Sequence, residues 1–243
     1  MSLLIGPSTG WLYARGIYSS FQQKIFLNKS PANSVEICLT SWDSKHDRRM
    51  ISLRTDGVFG NKILYRSLHL PDIDDSKQVL IAQNIILRCN PNTALVHPLK
   101  LIDGYPVEYY KKMISIGIPL AIENMDLKKD SGFNPSELRE LIENTGCRFV
   151  LDVQHAYEHD HKMYYAKDLL ESLKNSLVHL HVSGEAKNNN HSLVSRAINA
   201  SSIVEFIGQA LFIKNVPLIL EGKYLTLKEL YREIEFLTKE LGF

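Results

Sequence analysis

The sequence predicts a single (β/α)8 barrel spanning residues 1–243, on three observations. Eight short β-branched or apolar runs recur along the chain, each followed by a longer segment with helical spacing, and they begin about 25 to 40 residues apart, the period of a βα unit. Dividing 243 residues by eight gives roughly 30, the length of one such unit. The competing architecture, a doubly wound dinucleotide-binding sheet, calls for GxGxxG after its first strand. Here the first run leads into Gly6-Pro7-Ser8-Thr9-Gly10, with no third glycine at the required spacing.

In chain order the expected strands are residues 3–6, 35–40, 63–70, 94–99, 119–124, 149–154, 177–183 and 217–221. Between them, Asn134-Pro135-Ser136-Glu137 places an N-cap before a proline in the first turn. Leu138, Leu141 and Ile142 then form an i, i+3, i+4 stripe that ends at Gly146. Residues 225–241 repeat the pattern with Leu227, Leu230, Ile234 and Leu237, and charges fill the opposite face; residues 164–173 and 204–213 do the same. These stripes are core faces.

Composition removes several function classes. With 28 Lys+Arg against 27 Asp+Glu, the formal net charge of +1 provides no global field for nucleic acid or an anionic membrane, so a polyanion site would have to be a local patch. Cys38, Cys89 and Cys147 are an odd number without CxxC and read as reduced core thiols of a cytoplasmic protein. The first 15 residues lack the basic start and apolar run of a signal peptide, and no window approaches the ~18 apolar residues of a membrane span.

In a barrel of this kind function sits at the C-terminal ends of the strands. Those ends carry His69, His97, Glu123, Asp152 with His155, His181 and Glu221 on the third to eighth strands, and His191 lies on the loop after the seventh. All are metal-ligand types. Three carboxylates gathered at one mouth repel unless protons or cations intervene. Imidazole mixed with carboxylate, without thiolate, suits Zn first and Mn or Fe as alternatives. The set exceeds the four ligands of one tetrahedral ion, so two or three divalent metals are implied, with Glu123 or Glu221 bridging. His179, two residues before His181, reads as a packed core residue, while His46, His159 and His161 read as loop surface.

These strand ends resemble the xylose isomerase-like barrel superfamily, and within it the endonuclease IV (AP endonuclease type 2) family. Leu151-Asp152-Val153-Gln154-His155-Ala156-Tyr157 is similar to that family's LDxxHAF/Y signature, Ile122-Glu123-Asn124 to its IEN, residues 178–182 to its seventh-strand HL segment and Leu220-Glu221 to its closing LE. Val35-Glu36 resembles the second-strand "vE" of the superfamily. The resemblance implies three zinc ions on nine ligands, eight of them falling on His69, His97, Glu123, Asp152, His155, His181, His191 and Glu221. At the ninth, an Asp two residues before the last His, this chain has Asn189.

Three chemistries follow from that likeness. Endonuclease IV-like phosphodiester hydrolysis is the first expectation, because it uses His69 and His97, with Glu123, Glu221 and His155 as catalytic groups. Trp42, Lys45, His46, Arg48, Arg49 and Arg54 on the second βα loop form a local basic and aromatic patch for phosphate contacts and stacking. Against a nucleic-acid substrate, Pro71-Asp72-Ile73-Asp74-Asp75 puts acid after His69. The alternative is a sugar isomerase or epimerase. It would use one metal on Glu123, Asp152, His181 and Glu221, with the two glutamates moving a proton, His155 contacting the substrate and Glu185 meeting a sugar hydroxyl. Third, Leu151-Asp152-Val153-Gln154 and His181-Val182-Ser183-Gly184 resemble segments of the multinuclear iron-dependent oxidases that modify peptides. A barrel that keeps its metal without catalysis is the last alternative, and it would have lost these carboxylates.

Overall fold

The computed structural model describes residues 2–14, 20–42, 62–101, 104–187, 189–224 and 226–243. Eight parallel strands form the barrel: β1 (Ile5–Pro7), β2 (Ser34–Cys38), β3 (Tyr65–His69), β4 (Thr93–Val96), β5 (Leu120–Glu123), β6 (Arg148–Asp152), β7 (Leu177–Val182) and, later in the chain, β10 (Leu218–Leu220). Between β7 and β10 an antiparallel hairpin, β8 (Gly184–Ala186) and β9 (Asn189–Ser192), projects at the mouth. The described residues also hold nine helices: α1 (Gly10–Ala14), α2 (Ser20–Lys29), α3 (Ser76–Cys89), α4 (Val107–Ser115), α5 (Pro135–Thr145), α6 (Val153–His159), α7 (Tyr164–Leu173), α8 (Ala200–Ile213) and α9 (Leu227–Glu240).

From β2 onward each barrel strand pairs with the next barrel strand in the chain, and β10 pairs with β1 through Ile5 opposite Leu218. The circle closes between β1 and β2, where a bridge joins Ser8 to Glu36. The Thr9 N–H donates to the Glu36 carbonyl at 2.8 Å and the Asn33 N–H to the Ile5 carbonyl at 3.1 Å. The Asn33 side chain ties the same edge, accepting from the Ile5 N–H at 2.7 Å and donating to the Leu3 carbonyl at 2.9 Å. Gly6 is required at this closure, since a Cβ there would lie 1.7 Å from the Ser34 carbonyl oxygen.

Alternation along the strands separates two faces. Leu68, Val96, Leu120, Ile122, Phe149, Leu151 and Leu180 point outward into the main core, where Leu138, Leu141, Leu169, Phe206, Leu230 and Leu237 of the helices cover them. Leu95, Ala121 and Val150 form a separate cluster within the barrel, packed by Val178. The inward position after Ala121 is Glu123, after Val150 it is Asp152, and between Leu180 and Val182 it is His181, so the interior turns from apolar to ionisable as it nears the mouth. A register shift between Phe149 and Val150 against β7 pairs Val150 with His179 and Asp152 with His181.

The helix ends follow their sequence signals. Asn134 caps α5 by accepting from the Ser136 and Glu137 N–H groups, and Gly146 ends it at φ 77. Thr226 and Glu229 form a capping box on α9, which starts at Leu227 rather than at 225. Helix α8 begins at Ala200, ahead of the expected 204, where apolar spacing had not yet been established. The strands are shorter than the apolar runs: β4 ends at Val96 and β10 at Leu220, which leaves His97 and Glu221 just beyond them. The sixth run, expected to continue to Gln154, stops at Asp152 because α6 begins at once. His159, expected on a solvated loop, is the last residue of α6. Its Nε2 lies 3.0 Å from the Met125 carbonyl, and the ring packs against Phe133 and Tyr165. No helix among the described residues is long and apolar enough to cross a membrane.

Candidate metal centre

The residue Asp152 shows how the fold builds the site. It ends β6 and is also the N-cap of α6, its Oδ1 accepting from the His155 N–H at 2.8 Å. One carboxylate oxygen is therefore consumed by the backbone. The other, Oδ2, is buried without a hydrogen-bond partner. Asn124, the residue after Glu123, clamps this corner: its amide donates to the Asp152 carbonyl at 2.9 Å and accepts from the Asp152 N–H at 2.8 Å. Its own carbonyl lies 2.9 Å from His155 Nδ1.

Around Asp152 Oδ2 the ligand types converge. Glu123, Asp152 and His181 each offer one atom, all within 4.8 Å of one another. Glu123 Oε2 and His181 Nδ1 are 2.8 Å apart and, like Asp152 Oδ2, both lack a properly directed hydrogen bond. Glu221 Oε1 is 3.5 Å from the same His181 nitrogen. Three orphaned, buried ligand atoms facing one point are costly unless a cation joins them. The donor set fits a divalent ion held by Glu123, Asp152, His181 and Glu221.

A second group lies beside the first and shares Glu123. His69, His97 and Glu123 also present atoms within 4.8 Å of one another. His97 Nε2 is 3.1 Å and His69 Nε2 3.6 Å from Glu123 Oε1. Behind the pair, His97 Nδ1 is 2.6 Å from Asp72 Oδ1 and His69 Nδ1 is 3.1 Å from the Leu70 carbonyl. His155 and His191 face each other with ring centroids 5.8 Å apart on the far side of the mouth, and His191 Nδ1 is 3.3 Å from Ser183 Oγ. Asn189 accepts from the His191 N–H at 3.3 Å.

The site's charge explains its protonation. Burial alone would raise the Glu123 carboxyl, but the charge of His181 beside it, with His69 and His97 on its other oxygen, holds it well below the usual carboxylate range. Burial raises Glu221 to about 8, with Asp152, Glu123 and Glu36 adding to the rise against His181. Burial would lower His97, yet its hydrogen bonds to Asp72 and Glu123 raise it to about 10. Without a cation, then, protons on His181, His97 and Glu221 offset the surplus of carboxylate.

A stability prediction follows. Glu221 and His97 both bind their protons more tightly in the folded chain than in the unfolded one. Their stabilisation is full below the unfolded values of 4.5 and 6.5 and is lost as pH rises through about 8 and about 10. Chelator-treated protein is expected to lose Tm steadily from pH 6 to 10, and metal-loaded protein to lose little over the same range. A flat profile for the stripped protein would contradict this account.

The structure brings all eight sequence-predicted ligands to one mouth. His69, His97, Glu123, His155, His191 and Glu221 line a cavity of about 340 Å³, and Trp11, Cys38 and Lys129 are also in its wall. Asp152 and His181 lie fully buried beneath it. Trp42 and Glu185 are not among the residues that line this cavity: the Trp42 indole N–H donates to the carbonyl of Asp72, the partner of His97, at 2.7 Å, and Glu185 sits on β8 with its N–H bound to Asn199 at 2.8 Å. Lys45, His46, Arg48, Arg49 and Arg54 lie outside the described residues. His179 is buried as expected, its Nδ1 2.8 Å from the Tyr65 hydroxyl. Glu36, Asp72 and Asn124, which the strand-end pattern does not mark as ligands, also meet the site. For Asn124 the signal was present, because a side chain with both donor and acceptor directly after Glu123 can pair with the backbone of the next strand.

No known protein-family model matches the sequence, and no curated protein is significantly similar to it. Solved structures share its fold. A xylose isomerase domain containing protein from Salmonella typhimurium LT2 aligns over 100% of both chains at 14% identity, with a TM-score of 0.73. D-allulose 3-epimerase from Methylomonas sp. aligns over 98% of both chains at 13% identity and 0.69. A D-tagatose 3-epimerase-like protein covers 99% of this chain and 97% of its own at 15% identity and 0.64. At such identities the likeness is one of architecture, the (β/α)8 barrel, and the chemistry must be read from this chain's own residues.

Proposed function

We propose that this chain is a divalent-metal-dependent epimerase or isomerase acting on a small sugar-like substrate. The observation that carries it is the convergence of Glu123, Asp152, His181 and Glu221 with three ligand atoms unpartnered. This is the set that the resemblance assigns to the one-metal sugar enzymes. A divalent ion held there supplies the Lewis acidity that polarises a carbonyl and acidifies the neighbouring C–H.

Glu123 and Glu221 both line the cavity, from the end of β5 and from just beyond β10, so a substrate there meets two carboxyl groups. Glu123, kept ionised by its histidine neighbours, takes the proton from the carbon beside the carbonyl. Glu221, the second carboxyl group on the cavity wall, returns one. His155, with Nδ1 engaged by the Asn124 carbonyl, turns Nε2 to the substrate oxygens. A cavity of about 340 Å³ suits a single monosaccharide, and the epimerase names of two of the fold neighbours support the same class.

A second reading, phosphodiester hydrolysis across two or three zinc ions, is favoured by one specific observation: the His69, His97 and Glu123 group, which a one-metal isomerase does not need. Elemental analysis of protein purified without chelator separates them. One manganese or cobalt per chain supports the epimerase, two to three zinc ions the hydrolase, and two or more iron ions the peptide-modifying oxidase. Less than half a metal per chain sinks all three. His69→Ala is expected to leave a one-metal epimerase within about tenfold of its activity, read as deuterium uptake from D2O into a panel of ketoses. A loss of two orders of magnitude or more, about 3 kcal/mol, would favour the multinuclear site.

A further inference from the structure

Four histidines at the site do not present themselves alike. His69, His97 and His155 each have Nδ1 engaged, by the Leu70 carbonyl, Asp72 and the Asn124 carbonyl respectively, which leaves Nε2 for the mouth. His181 is reversed. Its Nε2 is 3.0 Å from Glu36 Oε2, and it turns Nδ1 toward Glu123 and Glu221. We infer that Glu36 is a positioning residue for the metal centre: its carboxylate takes the His181 Nε2–H, which fixes the tautomer and makes Nδ1 the ligand atom. This inference rests on the metal-dependent reading above.

The surroundings of Glu36 are built for that single task. The side chain is fully buried in mid-β2, below the mouth and away from the cavity wall. A carboxylate there must be fully engaged, and it is: Ser67 Oγ donates to Oε2 at 2.9 Å and Ser8 Oγ to Oε1 at 3.2 Å, alongside His181. Two serine hydroxyls hold the carboxylate in one rotamer, and the backbone of Glu36 is itself fixed, because its carbonyl accepts from Thr9 at the closure of the barrel. Nearby, His179 has its Nδ1 engaged by Tyr65, which in turn is 2.8 Å from Thr93 Oγ1. The His179 Nε2 stands 3.8 Å from Glu36 Oε2, beyond hydrogen-bond reach, so His181 is the imidazole that Glu36 binds. A carboxylate behind a metal-bound imidazole orients the ring and raises its basicity. Glu36 gives this chain both effects at the one histidine that lies between Glu123 and Glu221.

The test compares manganese and zinc affinity, by competition with a chromophoric chelator, in wild type, Glu36→Gln and Ser67→Ala, with metal-free circular dichroism as the check on folding. Glu36→Gln keeps the size but not the charged acceptor and is expected to weaken binding about 10–100-fold. Ser67→Ala removes one of the two hydroxyls that fix the Glu36 carboxylate but leaves its charge, and should weaken binding by less than Glu36→Gln does. If Glu36→Gln does not fold, 15N imidazole NMR of zinc-loaded wild type decides instead. The His181 Nε2 is expected to carry the proton and Nδ1 the metal shift. Affinity of Glu36→Gln within twofold of wild type, or a zinc shift on Nε2, overturns the inference. A wild type that binds no metal overturns it together with the proposed function. Glu36-dependent metal binding without deuterium exchange overturns the proposed function alone.

Discussion

Glu123→Gln is expected to abolish metal loading and reduce turnover by about 10³-fold or more. Glu123 is the one side chain common to both ligand groups, with Oε2 facing His181 and Oε1 facing His97 and His69. Glutamine preserves the shape, so the barrel should fold. Its amide, however, places two N–H donors where three imidazoles converge, and it can neither carry the bridging charge nor accept the substrate proton. Metal content below half an ion per chain, with a native circular dichroism spectrum, is the expected result. A variant that keeps its metal and a tenth of its activity would remove Glu123 from the centre of the mechanism.

The second large effect is structural. Gly6→Ala is expected to cost more than about 4 kcal/mol, read as a Tm fall on the order of 10 °C, or to prevent folding. The new methyl would lie 1.7 Å from the Ser34 carbonyl oxygen and 2.5 Å from its carbon, both of them main-chain atoms. Relief requires β1 and β2 to part where the barrel closes. Gly10→Ala is the control, since its nearest contact is Cys38 Sγ at 3.5 Å, an ordinary van der Waals distance. Equal stabilities for the two variants would show that this closure is not tightly held.

The ionisable residues gathered at the mouth were legible because a parallel barrel imposes one rule on every unit: outward residues are apolar, inward ones change to ionisable groups at the top, and the chain then turns away. Glu123, Asp152 and His181 obey it, and the Asp152-to-His155 spacing encodes a capped helix start. Glu36 escaped because it lies mid-strand, where the paired positions of β3 and β4 hold Ser67 and Thr93. Nothing local distinguishes a carboxylate that serves the site from one that is merely buried. Asp72 was read as repelling an anionic substrate. Its partner His97 lies 25 positions away in the chain, and only the path of the loop after β3 brings them to 2.6 Å. The β8–β9 hairpin went unread as strand because its residues are small or polar and carry no apolar alternation.

The closure of the barrel also sets when the site can exist. β1 is hydrogen-bonded to β10 on one side, and the Trp11 indole N–H donates to the carbonyl of Glu221, 210 positions later. Chains emerge from the ribosome N-terminus first, and early segments begin to fold during synthesis. For most of that time β1 has no neighbour on its β10 side, and the mouth lacks the carboxylate that follows β10. A nascent chain therefore holds an incomplete cup of histidines and acids. On the proposed function, metal capture at Glu123, Asp152, His181 and Glu221 would be a step of maturation, open only once β10 has been made and docked.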